Sequence, residues 1–170
     1  MWETPARRAR RHARVLLRRI RLPDPFDLEE FLQVVAADRG RPIKVLPLAG
    51  DQLPTVPCGL WIAGETADWV FVEDSTSPLH REHIVLHEVA HMICGHTTNL
   101  DHPSALLPHL DPARVRMVLG RTSYSNDQER EAEALASLLL SRAHRTRSPG
   151  ISIADDALGR AVGVLGRALP

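Results

Sequence analysis

The sequence predicts an α+β fold, helices flanking a short antiparallel sheet, and three observations lead there. Segments with apolar residues at helical spacing occur on both sides of the middle of the chain. Residues 41–75 have a different character, with apolar residues in short runs just after and among six prolines spread between positions 23 and 57. The helical segments carry their own start and stop residues, whereas the short runs are bounded by Gly, Pro and Asp.

The elements follow in order. Residues 6–20 are rich in Arg and place Val15, Leu16 and Ile20 on one side, a basic amphipathic helix that Pro23 and Pro25 put an end to. Asp27 followed by Glu30 has the form of a capping box, and Leu28, Phe31, Leu32 and Val35 make the apolar face of a second helix closed by Gly40. Ile43–Leu48, Leu60–Ala63 and Trp69–Val72 read as strands, with Gly64–Asp68 as the turn of a hairpin. Ser77-Pro78 is an N-cap with proline in the first helical position, and Gly95 is a natural stop, so 78–94 is the strongest helix. Thr97–Leu110 reads as a loop, Asp111-Pro112 as the start of a short helix that Gly120 ends. Ser125 with Gln128 opens a helix running to about Ala143. After Ser148-Pro149-Gly150, residues 153–169 form a last helix weakened by three glycines.

Composition narrows the class. At 170 residues and 44% hydrophobic, the chain has enough material for one domain with a core, which argues against wholesale disorder. Aromatics are 4%, so that core is built from Leu, Val, Ile and Ala. Two cysteines, Cys58 and Cys94, are too few for a disulfide scaffold. No run is long enough for a membrane span, and Arg18, Arg19 and Arg21 interrupt Val15-Leu16-Leu17 before a signal-peptide core forms, so a cytoplasmic location is expected. The zero net charge conceals a net +7 in residues 1–21 and −7 in the rest, which disfavours uniform coating by nucleic acid.

His87-Glu88-Val89-Ala90-His91 is H-E-x-x-H within the strongest helix. Four residues are slightly more than one turn, so both imidazoles leave the same face and can ligate one ion. Two imidazoles with one further ligand suit zinc and leave a position for water, whose proton Glu88 can take. With nine His and ten Glu in the chain, about 0.03 accidental matches are expected. For the third ligand, a metzincin would need Gly and His where Cys94 and Thr97 stand. The 125–143 helix instead offers Glu129, Glu131 and Glu133. Glu129, Ala132, Glu133 and Ala136 share a face whose alanines permit close approach, so Glu129 is the expected ligand and Glu133 the group that orients an imidazole. Glu131 reads as a solvated acid favoured by the helix dipole.

Trp69–Val72, the run Ser77–Val85 leading into Leu86–His91, and Gln128-Glu129-Arg130-Glu131-Ala132-Glu133-Ala134-Leu135-Ala136-Ser137-Leu138-Leu139 together resemble the ImmA/IrrE family of bacterial zinc metallopeptidases. The second run is similar to that family's E-x-E-A-[ND]-x-[FL]-A-x-x-L-L helix, and the resemblance covers roughly residues 60–142. It implies a zincin-like fold, Zn2+ held by His87, His91 and Glu129, Glu88 as general base, and as substrate a helix-turn-helix transcriptional repressor supplied in trans, in toxin–antitoxin or stress regulation. Glu133 departs from the family, which more often has Asn or Asp there.

The expected organisation is a basic N-terminal helix (1–22), a metallopeptidase domain (23–145) and a C-terminal helical extension (146–170). Tyr124, the sole tyrosine, is a candidate donor to a tetrahedral intermediate. Cys94 reads as a core thiol, and Cys58 has no partner motif. Among His96, His102 and His109 one can line a cleft or stabilise an oxyanion, though loop histidines are usually solvated. Trp61 and Trp69 are expected between sheet and helices, and Trp69–Val72 as an edge on which an extended peptide can pair. The Arg-rich helix has three readings: a solvated capping helix, a dock for an acidic partner, or a nucleic-acid arm that the lack of interleaved aromatics disfavours. The rival to the enzyme is a metal-binding regulator that sequesters a repressor without cleaving it.

Overall fold

The computed structural model describes residues 3–48, 59–73, 75–96, 115–120 (backbone only) and 124–147. The elements are α1 (Pro5–Arg19), α2 (Leu28–Arg39), β1 (Ile43–Leu48), β2 (Gly59–Gly64), β3 (Asp68–Glu73), α3 (Pro78–Cys94), β4 (Val115–Gly120) and α4 (Asn126–Arg147).

Local chemistry accounts for the helix ends. Asp27 Oδ1 accepts the Glu30 N–H at 2.8 Å, Ser77 Oγ accepts that of His80 at 3.3 Å, and Ser125 and Gln128 cap each other reciprocally at 2.9 and 3.3 Å. Gly40 and Gly95 both take φ of +68°, the left-handed conformation that glycine adopts without a Cβ penalty. Past Gly95 the chain folds back, with Gly95 N–H bonded to Met92 O and His96 N–H to His91 O at 3.0 Å.

The sheet order is β1-β3-β2-β4. β2 and β3 form the expected hairpin, closed by the Gly64 N–H to Ala67 O bond of 2.9 Å. The sheet is nevertheless mixed, not wholly antiparallel, because β3 returns between β1 and β2 and runs parallel to β1. That placement also removes the expected free edge at Trp69–Val72: β3 is paired on both sides, and β1 and β4 are the outer strands. The segment expected to be a short helix before Gly120 is instead β4, antiparallel to β2. Its sequence, Val-Arg-Met-Val-Leu-Gly, suits a strand, and pairing with β2 overrides the helix-start signal of Asp111-Pro112, which lies outside the described residues. The expected 97–110 loop, His102, His109, Cys58 and the 153–169 helix also lie outside them.

Along β3 burial alternates, with Asp68, Val70 and Val72 inside. The sheet packs on α3, which in turn packs on α4, and α1 lies along α4. Leu86 and Val89 of α3 and Ala132, Leu135, Ala136 and Leu139 of α4 are all 0% exposed. Each such leucine contributes roughly 2 kcal/mol of burial, and the alanines let the two helix axes come close. Helix α1 is buried through Ala9 and Ala13, with Leu16, Leu17 and Ile20 partly covered, while Val15 lies off that seam. Its arginines face outward, so a helix of very high charge can still dock through two alanines.

One buried charge ties these layers together. Asp68 is fully buried and receives Arg39 Nε at 2.7 Å, Arg41 Nε at 2.8 Å and Trp61 Nε1 at 2.9 Å. Burial would raise its pKa, but the two guanidiniums and the indole outweigh that and hold it below the ordinary value. Arg41 also reaches Gly64 O, and Arg39 sits over the Trp61 ring at 5.0 Å. The end of α2, the entry to β1 and the β2–β3 hairpin are thus fixed to one another.

Candidate metal centre

The helix periods of α3 and α4 converge on one point. His87 and His91 point from successive turns of α3, with Nε2 atoms 3.2 Å apart. Glu129, in the first turn of α4, brings Oε2 to 3.5 Å from His87 Nε2 and Oε1 to 3.7 Å from His91 Nε2. The ligand atoms of these three residues all lie within 4.8 Å of one another. Two nitrogens on a tetrahedral zinc stand about 3.3 Å apart, so the imidazole spacing fits such an ion. The Glu129 carboxylate fits it too: Oε1 is buried and has no hydrogen-bond partner among the described residues. A buried acceptor in that state is costly unless a cation satisfies it. His87 is 4% exposed and His91 0%.

A polar side chain stands behind each imidazole, Glu133 at ion-pair distance behind His87 and His96 in hydrogen-bond contact behind His91. Glu133 Oε2 lies 3.5 Å from His87 Nδ1, and its Oε1 lies 3.4 Å from His83 Nε2 and accepts the Ser137 hydroxyl at 2.9 Å. The longer Glu side chain therefore reaches two histidines of α3. Burial alone would lower the His87 pKa, but Glu129 and Glu133 outweigh it and raise it to about 9, while the His87 contact draws Glu133 down to about 2.

Behind His91 stands a residue the sequence reading left open between a cleft and solvent. His96 is 6% exposed, with Nδ1 3.0 Å from His91 Nδ1 and Nε2 3.2 Å from Glu131 Oε2. The other Glu131 oxygen lies 3.4 Å from His12 of α1. Glu131 is thus corrected from a solvated acid to a member of this cluster, and of the alternatives left open for His96 the structure takes the buried one. If His91 ligates through Nε2, its Nδ1–H donates to His96 Nδ1, and His96 Nε2–H donates to Glu131, so one tautomer satisfies the whole chain. Burial lowers the His96 pKa despite Glu131, which keeps it in the neutral form this arrangement requires. The signal was present in Gly95: a left-handed residue after the helix carries the next side chain back over the last turn, here His96 over His91.

Glu88 is 2% exposed and lies against β2. A Cβ at Gly59 would stand 2.8 Å from Glu88 Oε1 and collide with Ile84, so only glycine lets β2 pass there. Tyr124 stacks on His91, ring centroids 3.6 Å apart and planes 17° from parallel. Its hydroxyl is buried without a hydrogen-bond partner among the described residues, and burial, with Glu88 and Glu129 nearby, raises its pKa so that it stays protonated.

No protein-family model and no curated protein matches this chain. The functional reading therefore rests on the centre itself. Cys94, three residues from His91, packs at the margin of the core, and burial pushes its thiol up to about 12, so it is held as a neutral thiol outside the ligand set.

Proposed function

We propose that this chain is a zinc metallopeptidase acting on a protein supplied in trans. The observation that carries the reading is the convergence of His87, His91 and Glu129 with Glu88 buried on the adjoining helix position. A structural zinc site is normally closed by four protein ligands, whereas among the described residues three ligands stand beside an acid, the donor set of a hydrolytic site.

A divalent ion such as Zn2+ held by the three ligands supplies Lewis acidity toward a carbonyl and acidifies water. The residues of the chain do the rest. Glu88 accepts a proton from the attacking water and delivers it to the amine nitrogen as the C–N bond breaks, leaving a carboxylate and an amine. Tyr124 has a protonated hydroxyl, without a partner among the described residues, to donate to the carbonyl oxygen as charge develops there. Glu133 and the His96–Glu131 pair hold the two imidazoles in orientation. The resemblance of residues 60–142 to the ImmA/IrrE family supports a helix-turn-helix repressor as substrate.

The test is cleavage of such a repressor by the zinc-loaded wild type and by Glu88→Gln. The variant should keep its zinc and lose about 100-fold or more in rate. Equal rates would refute the enzyme reading, and zinc-loaded protein that binds the repressor without cutting it would favour sequestration.

A further inference from the structure

The seam between α1 and α4 is not closed along its whole length. A groove of about 740 Å³ lies there, with His87 and Glu129 among its lining residues. Small side chains make the space: Ala6 and Ala9 from α1, Ala134 and Ser137 from α4. Its charged border from α1 is Arg10 and Arg14, one helical turn apart and both exposed.

These two arginines differ from neighbours whose charge is already spent. Arg8 pairs with Asp127 at 3.2 Å and Arg11 with Glu3 at 3.1 Å. Arg130, which also lines the groove, pairs with Asp127 at 2.9 Å. Arg10 and Arg14 make no hydrogen bond or ion pair with any described residue. The acids in the groove are committed elsewhere, Glu129 toward the metal position and Glu133 to His83 and His87. Among the described residues no acid pairs with Arg10 or Arg14, so this border of the groove carries two unpaired positive charges beside the candidate metal centre. Two guanidiniums one turn apart repel each other slightly, and together they match a carboxylate, which each can bind with two parallel N–H donors.

We propose that this groove is a specificity site for peptide carboxylates, in which Arg10 and Arg14 hold an acidic group of the substrate beside the scissile bond. The proposal rests on the metallopeptidase reading and deepens it by naming the substrate chemistry. The carboxylate has two sources, an Asp or Glu side chain or the free C-terminus of a peptide.

Three hydroxamate-capped tripeptides separate them: one with two Glu and a C-terminal amide, one with two Gln and the amide, one with two Gln and a free C-terminal carboxylate. Their affinities are measured on zinc-loaded wild type and on the Arg10→Gln/Arg14→Gln double variant, with zinc content determined in each sample. At least one carboxylate probe should bind the wild type about tenfold more tightly than the neutral probe. The double variant should reduce that preference to less than about twofold while binding the neutral probe unchanged, which also shows that it is folded. Equal binding of all three probes to zinc-loaded wild type overturns the proposal and leaves the metal centre standing. Zinc loading with no hydroxamate bound overturns it too, since the groove would not open on the metal. Failure to load zinc removes the metallopeptidase reading and the proposal with it. A single-stranded DNA dodecamer held more tightly than any carboxylate probe, and released by the double substitution, overturns it in favour of phosphate recognition.

Discussion

His96 Nδ1 lies 3.0 Å from His91 Nδ1, so the residue that ends the turn after α3 also fixes the ring of a buried candidate ligand. The contact is made by the same backbone reversal that satisfies the helix C-terminus, the His96 N–H bond to His91 O. Capping and metal-site geometry are therefore one feature of the chain, and Glu131 completes it from α4.

Removing the supporting pair should loosen metal binding without abolishing the fold. His96→Ala and Glu131→Gln are each expected to weaken zinc affinity by roughly 10- to 100-fold, read by competition with a chromogenic chelator. Affinities within twofold of wild type in both variants would show that His91 needs no support.

Gly59 tests how tightly β2 is held against α3. In Gly59→Ala the new methyl meets Ile84 and Glu88 Oε1, and the strand must shift. A loss of roughly 1–3 kcal/mol in denaturant titration is expected. Unchanged stability would mean that β2 has room to move there.

Asp68 provides a pH signature. Its folded pKa lies below its ordinary value of 3.8, so its contribution to stability is fully present above that value and is lost as pH falls through the lower, folded one. Asp68→Asn should cost about 3 kcal/mol at pH 7, because two guanidiniums lose their shared carboxylate. It should also flatten the acid limb of the stability curve. A wild-type acid limb in the variant would assign that limb to other carboxylates.

Much of the helical layer was legible because its signals are local. Ser77-Pro78, Asp27, Ser125 with Gln128, Gly40 and Gly95 each satisfy backbone groups within a few residues, and the helices begin or end beside them. His87, His91 and Glu129 could be placed together because the period of two helices, with alanines between, decides which side chains meet. What escaped depends on contacts distant in sequence. The parallel pairing of β3 with β1 and the pairing of β4 with β2 are decided by neighbours that a six-residue run cannot announce. Glu131 looked like any acid in the N-terminal half of a helix until His96 and His12 arrived from other elements. Gly59 is required by the approach of α3, which no property of Pro57-Cys58-Gly59 reveals.

The most direct measurement is zinc per chain in untagged protein, wild type beside Glu129→Ala, after equilibration with excess zinc and gel filtration. About one zinc in the wild type and clear loss in the variant are predicted, since removing the carboxylate leaves two candidate ligands among the described residues. A wild type that retains no zinc, or a Glu129→Ala protein that retains as much as wild type, would contradict the three-ligand centre.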